Sequence, residues 1–221
     1  MRRSTSKRRR PARRRDGTTE TRILEAARIV FLRRGTAGAR MQEIAAEASV
    51  NQALLHYYFR SKDRLAKATF ERAASQLMPA VIQVMAGNDE LETKVARVIE
   101  LELDHLSRTP NLPGYIISEI NHHPDRVRDL IRALSGLPPD DIRPRVIAAL
   151  GRQLDERIAN GRIRPIAPDQ FIVNLMSLCI FPFAARPLLS AILGFDEAGF
   201  SRFIARRRDD LTSFFLGALR P

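Results

Sequence analysis

Tryptophan is absent and cysteine occurs once, as Cys179. A single thiol excludes an intramolecular disulfide, so nothing calls for an oxidising compartment and a cytoplasmic setting is expected. No long apolar run is present either. The longest, Phe171 to Ala185, is interrupted by Asn174, Ser177 and Pro182 and falls short of the roughly 20 residues a spanning helix needs, so no membrane partner is expected. The chain has no HExxH, CxxC, GxSxG or Gly-rich phosphate loop, which leaves the corresponding hydrolase, zinc and nucleotide chemistries without residues. His122 and His123 are adjacent, so on a helix their rings diverge by about 100° and do not share a metal. Neither an enzyme, a cofactor nor a metal site is expected.

Acidic residues are missing from the first fifteen positions, which hold Arg2, Arg3, Lys7, Arg8, Arg9, Arg10, Arg13, Arg14 and Arg15. These supply nine of the +12 net charges. Self-repulsion and the lack of apolar periodicity make residues 1–16 a disordered basic arm, suited to neutralising phosphates or lying in a minor groove. The arm has no amphipathic face, as a mitochondrial transit peptide would, and no apolar export segment follows it. With 44% hydrophobic residues, the rest of the chain can bury a core.

That remainder reads as helix after helix. Thr18 or Thr19 is placed to cap the first, whose stripe Ile23, Ala27, Val30 and Phe31 stops at Arg33-Arg34-Gly35. Ser61 caps a fourth helix that continues through Leu77, Val81, Val84 and Met85, with a kink expected at Pro79. Val95, Ile99, Leu103 and Leu106 stripe a fifth, short helices follow around Tyr115–Asn121 and Pro124–Leu134, and Val146, Leu150, Leu154 and Ile158 stripe a long one. Phe171 to Phe183 is apolar nearly all round, and Phe200, Ile204, Leu211, Phe214, Phe215 and Ala218 stripe the last helix. No segment alternates as a strand does. The fold class is all-α, and the last third offers more apolar surface than one monomer needs, which makes a second copy its natural cover.

Met41 to Lys62 is the most informative stretch. Met41, Ile44, Ala45 and Ala48 fall at i, i+3, i+4 and i+7 on one very short helix. Val50 plugs a tight turn, and Asn51 is placed to cap a second short helix. Leu54, Leu55 and Phe59 of that helix pack inward, which leaves Gln52, Ala53, His56 and Tyr57 at its leading end. Two short helices so joined are a DNA-reading device: Gln52 matches the edge of an adenine, Asn51 does so if its cap leaves the amide free, and Tyr57 offers a ring to a thymine methyl or a hydroxyl to a phosphate. Lys62 adds positive charge at the next helix N-terminus, where phosphate is favoured.

The order of these residues resembles the DNA-binding half of the TetR-type (tetracycline repressor) family of regulators. Ala26-Ala27, Phe31, Gly35, Ile44-Ala45, Val50, Leu55, Tyr58-Phe59 and Ser61-Lys62 stand at the family's spacings without a gap, from about Thr18 to Leu65. The resemblance implies a three-helix helix-turn-helix domain over 17–62, followed by a helical effector-binding and dimerisation domain over 63–221. It implies a homodimer held by a four-helix interface, a palindromic double-stranded DNA operator and a small-molecule effector. It places Arg40, Met41, Asn51, Gln52, Ala53, His56, Tyr57, Tyr58 and Lys62 at the DNA. Three positions depart from the pattern: Arg40 stands for a capping threonine, Ser49 for a turn glycine and His56 for a tyrosine. If position 49 needs a positive φ, serine there costs something like 1 kcal/mol.

An effector pocket in the body follows from the resemblance. Met85, Tyr115, Ser118, Glu119, Asn174 and Met176, adaptable or polar groups in apolar surroundings, are the candidates for lining it. The expected function is a ligand-responsive dimeric regulator, a repressor. The alternatives are a nonspecific DNA binder driven by the arginine-rich arm, and a helical enzyme or small-molecule carrier that keeps the motif as scaffold.

Overall fold

The structure is a computed structural model that describes residues 12–75, 78–124, 127–128, 131 and 139–221. Among the described residues it contains eleven α-helices and no strand, so the protein is all-α. It divides into two compact units, one ending at Arg72 and one running from Ala73 to Pro221. The division falls near the end of the fourth helix.

The first unit contains α1 (Ala12–Gly38), α2 (Met41–Glu47), α3 (Gln52–Phe59) and α4 (Lys62–Ala74). Ile23, Ala27, Val30 and Phe31 of α1 are buried as the stripe requires, together with Ile44, Ala45, Leu55, Phe59, Leu65 and Phe70. Gly35 breaks α1 at φ 68, ψ 163, where glycine escapes the Cβ clash that other residues meet. The helix begins upstream of Thr18 and Thr19, so neither is its N-cap. Its first turns, at residues 12–15, lie in the segment read as a disordered arm; arginine is a strong helix former even without an apolar stripe. The remainder of that arm, residues 1–11, lies outside the described residues.

The second unit is built round α6 (Leu91–Arg108), which packs against α5 (Met78–Ala86), α9 (Pro168–Ala184) and α11 (Glu197–Gly217). The elements α7 (Leu112–His122), α8 (Pro139–Ala159) and α10 (Arg186–Leu193) complete it. Pro79 starts a new helix instead of kinking α4: a proline there has no N–H to give and clashes with the carbonyl four residues back. Most of the segment Pro124–Leu134 lies outside the described residues. On α11 the buried positions are Phe200, Ile204, Leu211 and Phe215, and Leu219 is buried just beyond its end. Phe214, expected in that stripe, is 63% exposed; it sits about 100° round the helix from Phe215. Among the described residues no single helix is long and apolar enough to cross a membrane; the apolar α9 bends by 70° into α10.

Candidate nucleic-acid interface

The turn between α2 and α3 is closed by Ser49 N–H donating to Ala46 O at 3.0 Å and Val50 N–H donating to Ala45 O at 3.0 Å. To make that turn Ser49 adopts φ 51, the left-handed conformation for which glycine is the comfortable residue. At the other end, Arg60 takes φ 47 and its N–H caps the His56 carbonyl at 2.9 Å. Helix α3 is thus bracketed by two non-glycine residues held at positive φ, strain that persists only where the surrounding contacts over-determine it.

Asn51 performs the expected cap, its Oδ1 accepting from Leu54 N–H at 2.7 Å. That bond holds the Asn51 side chain against the first turn of α3. Gln52 and Ala53 are exposed in the first turn, His56 and Tyr57 follow on the outer face, and Tyr57 is 76% exposed. The inner face is Leu55 and Phe59, both buried, and the rings of Tyr57 and Tyr58 meet edge to face at 5.5 Å. Tyr58 and Met41 are only half exposed, so they support the outer face more than they extend it. Arg40 is exposed with an extended backbone and caps nothing, as its side chain dictates.

Lys62 holds two elements together. Its Nζ donates to the carbonyls of Ala37 at 2.8 Å and Ala39 at 3.2 Å, tying the first turn of α4 to the connection between α1 and α2. Ser61 caps α4 through Oγ, which accepts from Arg64 N–H at 3.2 Å. Ion pairs from Arg33 to Glu47 and from Arg34 to Glu43 fix the end of α1 against α2. The exposed groups of α3 are therefore presented from a braced frame.

In the second unit, Met85 and Met176 meet on an apolar cavity of about 120 Å³, lined also by Val81, Ile82, Val146, Ile172 and Leu175. The other four candidates do not reach it. Tyr115 and Glu119 are buried one turn apart on α7, which leaves Ser118 on an exposed flank. Asn174 is exposed because Phe171, Leu175 and Cys179 take the buried face of α9. The Cys179 thiol is pushed up to about 12, first by burial and then by the Glu102 carboxyl, so it is an inert packing group.

Sequence reasoning missed Glu102 and His105. Glu102 is 1% exposed, and its Oε1 and the His105 Nε2 are both buried without a hydrogen-bond partner among the described residues. The signal was available: a carboxylate interrupts the apolar stripe of α6 at a position three residues beyond Ile99. A second hollow of about 370 Å³ is lined by Phe183, Phe200, Arg186 and Arg208 among others. Its cations are already engaged, Arg186 with Glu197 and with the Phe200 ring at 4.6 Å, Arg208 with Asp104 at 2.5 Å.

Residues 23–69, which span the whole of α2 and α3, match the model of the tetR family of bacterial regulatory proteins. Those residues form a DNA-binding domain of the TetR family. Similar proteins include the helix-turn-helix transcriptional repressor NicS of Pseudomonas putida, 28% identical over 184 residues that cover 81% of this chain and 82% of that one. The transcriptional repressor SCO4008 of Streptomyces coelicolor is 31% identical over 123 residues, 54% of this chain and 62% of that one. The crystal structure of HlyIIR, a hemolysin II transcriptional regulator, superposes with a TM-score of 0.58 at 23% identity, covering 93% of this chain and 98% of that one; this likeness concerns the fold. The helix-turn-helix domain is what this chain shares with relatives that are named as transcriptional repressors.

Proposed function

We propose that this chain is a dimeric TetR-family repressor, that it reads a palindromic operator through α3, and that a small molecule bound at the Met85–Met176 cavity releases it. It acts where bacterial DNA lies, in the cytoplasm. One observation supports the reading most: α3 turns Leu55 and Phe59 into the core while Gln52, Ala53, His56 and Tyr57 stand exposed on the opposite face. A helix this short contacts few base pairs, so a twofold pair reading two half-sites about one DNA turn apart, or a multiple of that, answers the deficit. Val173 and Phe181 on α9 and Phe214 on α11, exposed by 56%, 56% and 63%, supply an apolar face for the second copy.

Within this reading, Gln52 contacts a base edge, Tyr57 a thymine methyl or a phosphate, and Arg40 and His56 the backbone. Gln52→Ala and Tyr57→Ala are each expected to weaken operator binding by about 1–3 kcal/mol and to leave binding to random DNA nearly unchanged, because base contacts specify whereas phosphate contacts do not. Competition gel-shift titrations measure both. Equal losses on operator and random DNA would favour the arginine arm as the source of affinity.

A further inference from the structure

Glu102 and His105 lie three residues apart on α6 and so share a face. The carboxyl Oε1 of Glu102 and the imidazole Nε2 of His105 are both buried, without partners among the described residues. Among the described residues no cation offsets the carboxyl, and burial pushes it up to about 7. Burial, and then Arg108, push His105 down, towards the neutral ring. Arg207 of α11 is committed to the Leu178 carbonyl, to which its Nη2 donates at 2.8 Å and its Nε at 3.1 Å. The Cys179 thiol, close enough to feel the Glu102 charge, is a weak donor and brings no counter-charge. Polar atoms orphaned in an apolar interior are rare and call for a partner.

The Met85–Met176 cavity lies along the same helices. Leu175 lines it, and Cys179 follows one turn on, about 6 Å along α9. Lys94 donates to the Met85 carbonyl at 3.2 Å and precedes Glu102 on α6 by about 12 Å. The cavity volume of about 120 Å³ is close to that of an engineered apolar cavity of about 150 Å³ that takes benzene. Its lining offers no polar atom to a ligand, so any polar group of a bound molecule must find its partner beyond the cavity.

Building on the effector reading above, we propose that Glu102, with His105 beside it, is the polar anchor of the effector site, and that the effector is a small organic cation. A single ring or short hydrocarbon body fills the cavity between Met85 and Met176, and a protonated amine reaches Glu102 Oε1. The amine supplies both the hydrogen bond and the counter-charge that the carboxyl lacks. The two methionine side chains let the apolar end adapt to the ring.

Phenethylamine and ethylbenzene separate the two halves of the proposal, since they share a ring and a two-carbon chain and differ in the amine. Calorimetric titration of the full chain is expected to show phenethylamine binding at least tenfold more tightly than ethylbenzene. Glu102→Gln should abolish that margin and leave ethylbenzene unaffected, while Met176→Phe, which fills the cavity, should weaken both probes; the second variant also reads the cavity independently of how well the first folds. If the wild type binds both probes equally and Glu102→Gln changes neither, the anchor is wrong and the cavity remains as the effector site. If neither probe binds, the anchor and the cavity's role in release of DNA fall together.

Discussion

Phe181→Glu combined with Phe214→Glu is expected to yield a folded monomer and to lower operator affinity on the order of a thousandfold. Both rings are more than half exposed in the single chain, so the substitutions leave the core intact. In a dimer they would place unpaired carboxylates in an apolar interface, at a cost of several kcal/mol each. Loss of the dimer removes one of two half-site contacts, and a single α3 retains little beyond phosphate attraction. Light scattering reads the mass and circular dichroism the fold. A double variant that keeps twice the monomer mass would show that α9 and α11 meet something other than a second copy.

Glu102→Gln should stabilise the protein by about 3 kcal/mol above neutral pH. Burial holds the folded carboxyl at about 7 against an ordinary 4.5, so between those values the folded chain keeps a proton that the unfolded chain has released. Stability tied to that proton is complete below about pH 4.5 and is lost as pH rises towards 7. Glutamine carries no such proton, so the variant's advantage is absent near pH 4, grows through the window and levels off above it. Thermal unfolding of both proteins at pH 4 and pH 8 measures this. An equal difference at the two values would mean that the Glu102 carboxyl is solvated or paired.

The reading device was legible because everything that makes it is local. The spacing of Ile44, Ala45 and Ala48, the Asn51 and Ser61 caps and the break at Gly35 each act within a few residues. Ser49 announced its positive φ by standing where the family has glycine. Long-range arrangement was not legible. Lys62 reads as a free charge until the fold brings two carbonyls from the α1–α2 connection to it. Composition does not say which side of a helix faces in; the i, i+4 runs on α7 and α9 decide it, and Ser118 and Asn174 stand exposed. Phe214 was drawn into a stripe that belongs to Phe215 and Leu219, and Glu102 was passed over because its significance lies in what fails to meet it.

Selection of bound sequences from random double-stranded DNA by the full chain, at physiological salt, tests the central claim most directly. A dimeric reader should enrich one palindrome whose half-sites are separated by about one helical turn or a multiple of it, and Gln52→Ala should relax the choice at one position in each half-site. Enrichment of no sequence, with binding that falls steeply as salt rises, would contradict the account and leave a chain held to DNA by charge alone.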